Sequence, residues 1–108
     1  MKRGDLVTVA VAGDYGKPRP AVVIQSDWLA ETDSVLVSLV TSTLRNASFY
    51  RLTLEPKVSN GLRARSQVMV DKIMAIRREK CSLPIGRLDE TEVIVLNRML
   101  ALVVGIAD

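Results

Sequence analysis

An arginine held between two prolines, Lys17-Pro18-Arg19-Pro20, stands at the mouth of the apolar run Ala21-Val22-Val23-Ile24. Each proline fixes its own φ at about −65° and biases the residue before it toward extended backbone, so the Arg19 main chain is stiff before any tertiary contact forms. A guanidinium aimed in this way suits a phosphate, because it presents a planar fork of donors that stays charged. The hydroxyl cluster Thr41-Ser42-Thr43 and the pair Asp71-Lys72 add polar groups at or near the ends of apolar runs. Both also read as ordinary turn and surface chemistry. Histidine is absent and cysteine occurs once, at Cys81. A structural zinc site draws on Cys and His clusters, and hydrolases of the Ser-His-Asp or Cys-His kind need an imidazole, so those classes are excluded. The glycines are scattered in neither the GxGxxG nor the GxxxxGK[ST] pattern, which removes the common phosphate-cradling loops. Proton transfer in an enzyme built on this chain falls to carboxylates, hydroxyls, lysine, water or the substrate. Charge stabilisation falls to arginine and backbone amides.

These groups must be carried by a small scaffold. The 108 residues, 48% hydrophobic and 25% charged, fit a single globular domain over 1–108. A formal net charge of +3 admits an anionic partner without requiring one. Lys2 and Arg3 near the start are followed by Asp5 and no apolar h-region, so no secretory signal is expected. No apolar run is long enough to span a bilayer, and a lone cysteine forms no internal disulfide, so cytoplasmic residence and no membrane partner are the expectations.

Period-two patterning dominates the first three quarters of the chain. Residues 6–11 read as a first strand and 13–18 as a turn-rich loop. Residues 21–26 and 35–40 are nearly continuous, β-branched apolar strands that belong in the centre of a sheet. Residues 49–54 alternate and stop before Pro56, Asn60-Gly61 marks a tight turn, 67–73 continue the β pattern, and 85–88 form a short last strand. Many short strands without intervening helices predict a mostly β chain, a small antiparallel barrel or sandwich. The pattern changes at Leu88. Asp89 with Glu92 three residues later is a capping box, and Val93, Leu96, Leu100 and Val104 then form a helical stripe. Ile94, Met99, Leu102 and Val103 widen it, which favours a helix shared between its own barrel and a twin subunit over one sunk only in its own barrel. Gly105 is the expected stop.

Four blocks in order, Lys2-Arg3-Gly4-Asp5-Leu6-Val7, Arg19-Pro20-Ala21-Val22-Val23-Ile24, Val37-Ser38-Leu39-Val40-Thr41-Ser42, and Gly61-Leu62 through Ser66-Gln67-Val68-Met69-Val70-Asp71-Lys72-Ile73, resemble the MazF/PemK family of toxin endoribonucleases. Ile85-Gly86-Arg87-Leu88 before the last helix extends the likeness over most of the chain. The resemblance implies an SH3-like barrel with a C-terminal α-helix, a homodimer, a cognate antitoxin, and cleavage of single-stranded RNA without metal or other cofactor. It implies Arg19 and Thr41 at the catalytic centre and, as in some members, Asp71 as the base. The family's chemistry uses the RNA's own 2′-hydroxyl against the adjacent phosphate, so no protein nucleophile is needed. Three departures stand out: residues 12–18 form a short loop without the family's usual Ser/Glu-Gln stretch, Met69 stands where some members have a second arginine, and Lys72 replaces a glutamine.

The residue types suit that chemistry. A preorganised guanidinium aimed at the phosphorane oxygens supplies roughly 3 kcal/mol of transition-state stabilisation in a partly dry site. Thr41 can donate to a phosphate oxygen from a β-branched, rotamer-poor side chain. Lys17, Ser42, Arg45, Arg51 and Arg65, with Arg63, are the expected RNA contacts if the strands bring them to one face. Of the few aromatics, Trp28, Phe49, Tyr15 and Tyr50, most are expected to pack in the core or loops rather than to stack on bases. Two other readings remain open at this level. Val23-Ile24-Gln25-Ser26-Asp27 and Leu102-Val103-Val104-Gly105-Ile106 are similar to segments of the CcdB gyrase poisons, which share the fold without nuclease activity, although Val104 stands where they carry tryptophan. A noncatalytic RNA-binding barrel would need only the basic groove.

Overall fold

The computed structural model describes residues 1–11 and 17–107. Six strands and one helix follow in order: β1 (Asp5–Ala10), β2 (Pro18–Val23), β3 (Ser34–Thr41), β4 (Arg51–Leu54), β5 (Ser66–Arg77), β6 (Gly86–Arg87) and α1 (Glu90–Val103), with short 3-10 turns at Asp27–Leu29 and Arg78–Lys80. All strand pairings are antiparallel, in the order β4-β5-β3-β2-β1-β6. The sheet curls into a half-barrel. Beyond β5 the chain returns beside β1, where Val9 bridges Cys81 and the Ser82 N–H donates to the Thr8 carbonyl at 2.8 Å. The expected small β-barrel with a C-terminal helix is thus the observed architecture. Among the described residues no helix is long and apolar enough to cross a membrane.

Alternation along the strands sorts the core into two clusters. Leu6, Val22, Val40, Leu52, Leu54, Val68, Val70 and Leu88 meet Leu96 of the helix on one face, with Val93, Val95, Met99, Leu100 and Val103 packed against them. On the other face lie Val7, Val9, Ala21, Val23, Val35, Val37, Leu39 and Ile76. The helix begins where its capping box predicts: the Asp89 carboxylate accepts from the Glu92 N–H at 2.7 Å and the Glu92 carboxylate accepts from the Asp89 N–H at 2.9 Å. Its opposite side, with Ile94 and Leu102, is exposed, and so is Val104, which falls at the C-cap where the helix ends rather than on the inward stripe expected for it.

Several boundaries moved for identifiable reasons. Pro18 and Pro20 lie inside β2, paired with Ala10 and Thr8, while β3 pairs only with 21–23. Their missing N–H groups fall where β2 has no second neighbour, the setting in which a strand tolerates proline. Residues 24–26 leave the strand because the buried Gln25 amide takes over the bonding: its Nε2 donates to the Leu29 carbonyl and to Thr32 Oγ1, both at 2.9 Å, and its Oε1 accepts from the Leu36 N–H at 3.2 Å. Phe49 and Tyr50 belong to a turn, with the Tyr50 and Arg51 N–H groups both donating to the Ala47 carbonyl. β5 is longer than residues 67–73 because it serves two neighbours, β4 with its first residues and β3 along most of its length.

Two glycines close the half-barrel. Gly61 has φ +71°, and a Cβ there would overlap the Ile85 carbonyl; a Cβ on Gly86 would overlap the Asn60 backbone. The two segments cross at a separation only glycine allows. Asn60 locks the crossing, accepting from the Lys57 and Leu62 N–H groups and donating to the Glu55 carbonyl. Nearby, Asp5 accepts from Arg87 Nη1 at 3.2 Å and from the Lys2 N–H at 2.8 Å, so segments near the two ends of the chain hold each other.

Candidate functional site

The face that carries the second cluster continues past its apolar residues into a polar row. Arg19 is paired across β1 with Val9, so its side chain leaves from that face. Ala21 pairs with Leu39 as the last pair of β2 and β3 toward this end, so Arg19 and Thr41 each stand two residues beyond it on the same face. Thr41 pairs with Gln67 on β5, and Gln67 with Thr53 on β4. Thr41, Gln67 and Thr53 therefore form one cross-strand row on paired strands spaced by about 4.8 Å, and Arg19 lies on the same face, two residues past the last β2–β3 pair. Arg51, two residues from Thr53 and paired with Met69, shares the face.

Asp71 reaches this end through an irregularity. Ser38 pairs with Ile73 and Val40 with Val68, so residues 69–72 stand opposite the single residue Leu39. Extra residues bend a strand and re-aim its side chains. The Ser38 hydroxyl donates to the Val70 carbonyl at 3.3 Å across the bulge, replacing a lost ladder bond. Asp71 is exposed on the bulge, two residues along β3 from Thr41. Arg19 and Lys17 are exposed and Thr41 is half-buried, with Thr41 Oγ1 accepting from the Thr43 N–H at 3.1 Å.

The loop after β3 is clamped from below. Gln67, 6% exposed, accepts through Oε1 from the Arg45 N–H at 3.0 Å and from Arg51 Nη1 at 3.2 Å. Its Nε2 donates to the Arg45 carbonyl at 3.0 Å and to Thr53 Oγ1 at 3.2 Å. Arg51 Nη1 also donates to the Thr43 carbonyl at 3.1 Å. Ser42 and the Arg45 side chain are exposed on this loop, above a cleft of about 300 Å³.

The expected contacts divide accordingly. Arg19, Thr41, Asp71, Arg51, Lys17, Ser42 and Arg45 gather at one end of the sheet. Arg65 lies just before β5 and is engaged at 2.8 Å by Glu55, while Arg63 is exposed in the preceding turn. The packing expectation fails for two aromatics: Trp28 is 95% and Phe49 71% exposed. The core is filled by aliphatic side chains, chiefly Val and Leu, and these rings lie outside it. Tyr50 is also exposed, and Tyr15 with the rest of the loop at 12–16 lies outside the described residues. Gln67 was missed. Its signal was faint, a single amide alternating with Val68 in an apolar strand. The string Gln25-Ser26-Asp27 proves to be scaffold: Ser26 Oγ accepts from the Trp28 N–H and Asp27 from the Arg3 N–H.

Among the groups that titrate, burial pushes the Cys81 thiol above its ordinary value against the opposing pull of Arg78, so it stays a protonated neighbour of the second cluster. A cavity at the helix start, lined by Arg3, Arg87, Leu88 and Val93, is separate from the polar row.

The same arrangement of strands and helix occurs in solved proteins. An endoribonuclease from a mycobacterial species in complex with its cognate antitoxin superposes with a TM-score of 0.83 over 100% of this chain and 98% of that one, at 16% identity. The Mycobacterium tuberculosis toxin MazF-mt6 gives 0.80 over 94% and 96%, at 19% identity, and the MazF of a MazE–MazF complex from Deinococcus radiodurans 0.78 over 99% and 97%, at 19% identity. In sequence, the chain is 39% identical over 108 residues, 99% of each chain, to a probable endoribonuclease MazF of Mycolicibacterium smegmatis. With residues 2–104 matching the family model as well, the chain belongs to the PemK-like, MazF-like toxins of type II toxin–antitoxin systems.

Proposed function

We propose that this chain is the toxin of a type II pair and acts as an endoribonuclease on single-stranded RNA, the 2′-hydroxyl attacking the adjacent phosphate without a metal ion. The observation that carries the reading is the polar end of the sheet: a stiffened Arg19 and Thr41, each two residues past the last β2–β3 pair on one face, beside a bulge that presents Asp71. In this reading Arg19 stabilises the charge that builds on the phosphorane oxygens, and Thr41 donates to a non-bridging oxygen. Asp71 receives the 2′-hydroxyl proton and water or solvent protonates the leaving 5′ oxygen. The products are a 2′,3′-cyclic phosphate and a 5′-hydroxyl. Lys17, Ser42, Arg45 and Arg51 hold the flanking backbone, and Arg65 contributes from outside the cluster.

The exposed outer side of α1, with Ile94 and Leu102, together with exposed Val104 at its C-cap, is the proposed seat of a second copy, giving a homodimer. An acidic antitoxin segment that lies along the basic end of the sheet is the proposed inhibitor, since carboxylates compete for sites that suit phosphates. An acidic partner that bound but left RNA cleavage unchanged would refute that mode. An RNA substrate places the activity in the cytoplasm.

The test is incubation with a mixed RNA in EDTA. Site-specific scission with cyclic phosphate ends is expected, and Arg19→Ala is expected to lose at least about two orders of magnitude in rate with the fold kept. Arg19→Lys should recover little, because an ammonium lacks the planar fork. Intact RNA across diverse substrates, with toxicity surviving Arg19→Ala and abolished by removal of residues 105–108 from a still-folded chain, would instead establish a gyrase poison.

A further inference from the structure

The Gln67 amide has no spare capacity. Its two donor hydrogens go to the Arg45 carbonyl and Thr53 Oγ1, and its oxygen takes the Arg45 N–H and Arg51 Nη1. A flipped amide would face its NH₂ toward two donors, so the orientation is determined by the network. Arg51 is fixed in turn. Both hydrogens of its Nη1 are committed, one to Gln67 and one to the Thr43 carbonyl. That leaves the Nε–Nη2 edge of the guanidinium, the edge whose parallel N–H groups grip a phosphate in bidentate fashion. Among the described residues, Arg51 Nε is the buried side-chain polar atom without a hydrogen-bond partner. Native proteins rarely leave a buried donor unmet, and a bound ligand is one way of meeting it. Arg51 is part of the wall of the 300 Å³ cleft, with Arg45, Ser48, Thr53 and Met99.

We propose that this cleft is a subsite for an RNA backbone phosphate flanking the scissile one, bound by Arg51, and that Gln67 is the positioning residue that holds Arg51 to it. The inference rests on the ribonuclease reading above and deepens it. Arg51 lies on β4 and Arg19 on β2, with β5 and β3 between them, and the bonds to Gln67 and the Thr43 carbonyl tether Arg51 at its own end, which suits the two arginines to different phosphates of one strand. A lysine or a freely rotating arginine would supply the charge without the aim. The clamp supplies the aim.

The experiment is kcat/KM on a mixed-sequence RNA pool across a KCl series. Losing one phosphate contact lowers the steepness of log(kcat/KM) against log[KCl] by about 0.7 for a single strand. Arg51→Ala is expected to show that drop, with a roughly tenfold fall in kcat/KM carried by KM, as expected for loss of a uniform binding contact. Gln67→Met is expected to reproduce both although Arg51 is still present, and the double variant to be no worse than Arg51→Ala. Thr32→Val, which loosens the distant loop around Gln25, should leave the slope unchanged and so separates destabilisation from positioning. Should Gln67→Met fail to fold, Gln67→Asn, with its amide drawn back from Arg51, carries the same expectation. An unchanged slope in Arg51→Ala, or independent multiplying losses in the double variant, would overturn the proposal. So would loss of binding to an acidic peptide alone. A wild-type chain that cuts no RNA would sink the ribonuclease reading itself, a result distinguishable from all of these.

Discussion

Asn60→Ala is expected to remove about 3 kcal/mol of stability without touching the polar row. Asn60 is 1% exposed. Its Oδ1 accepts from the Lys57 N–H at 3.1 Å and the Leu62 N–H at 3.0 Å, and its Nδ2 donates to the Glu55 carbonyl at 2.8 Å. Each such bond contributes about 1 kcal/mol net, so three make about 3 kcal/mol. In a chain of this size that is a fall in Tm of roughly 15 °C. Asn60→Asp is the sharper instrument, since it keeps both acceptor contacts and replaces the donor with an oxygen facing the Glu55 carbonyl. That repulsion, with burial, would raise the folded-state pKa of the new carboxyl above its unfolded value of about 3.9. The folded chain would then bind the proton more tightly than the unfolded one. The deficit should therefore be full above the raised value and shrink as pH falls through it, where the protonated carboxyl can donate again. Urea unfolding of the three proteins, followed by circular dichroism from pH 7 to pH 4, measures this. An Asn60→Ala stability within about 0.5 kcal/mol of wild type, the usual scatter of inconsequential surface changes, would refute the account. So would an Asn60→Asp deficit that does not move with pH.

The helix start offers a second pH test. The Glu92 N–H bond, with support from the Lys57 charge, holds the Asp89 carboxyl below its ordinary value of 3.8, so its contribution is complete above that value and is lost as pH falls through the lower folded one. Asp89→Ala should lower Tm at pH 7, and the gap to wild type should close only in that acid range; a gap that closes by pH 5 would contradict the capping box. The outer side of α1 gives the remaining test: light scattering at micromolar concentration should report a dimer for wild type and a folded monomer for Ile94→Asp with Leu102→Asp, whereas a strictly monomeric wild type would remove the basis for a two-subunit RNA groove.

What the sequence determined by itself was whatever chemistry acts over a few residues. The Asp89-x-x-Glu92 capping box began the helix where its side chains can reach the adjacent amides. The prolines around Arg19 held an extended backbone that became part of β2, and period-two alternation placed most strands and sorted their core faces. The tertiary structure decided what depends on which strand lies beside which. Gln67 became a clamp only because β3, β4 and the loop after Thr41 converge on it. Gln25 ended a strand because its amide found partners in a loop, and the chain turned at Phe49 and Tyr50 because the Tyr50 and Arg51 N–H groups donate to the Ala47 carbonyl. Asp71 reached the site through a bulge opposite Leu39 that no alternation pattern encodes, since a register shift is a property of a strand pair. Asp5 and Arg87 lie 82 residues apart, and Gly86 is needed because Asn60 crosses it. Local propensity fixes backbone shape within a turn or a strand, whereas pairing register, close approach and the satisfaction of buried polar groups are settled only when distant segments meet.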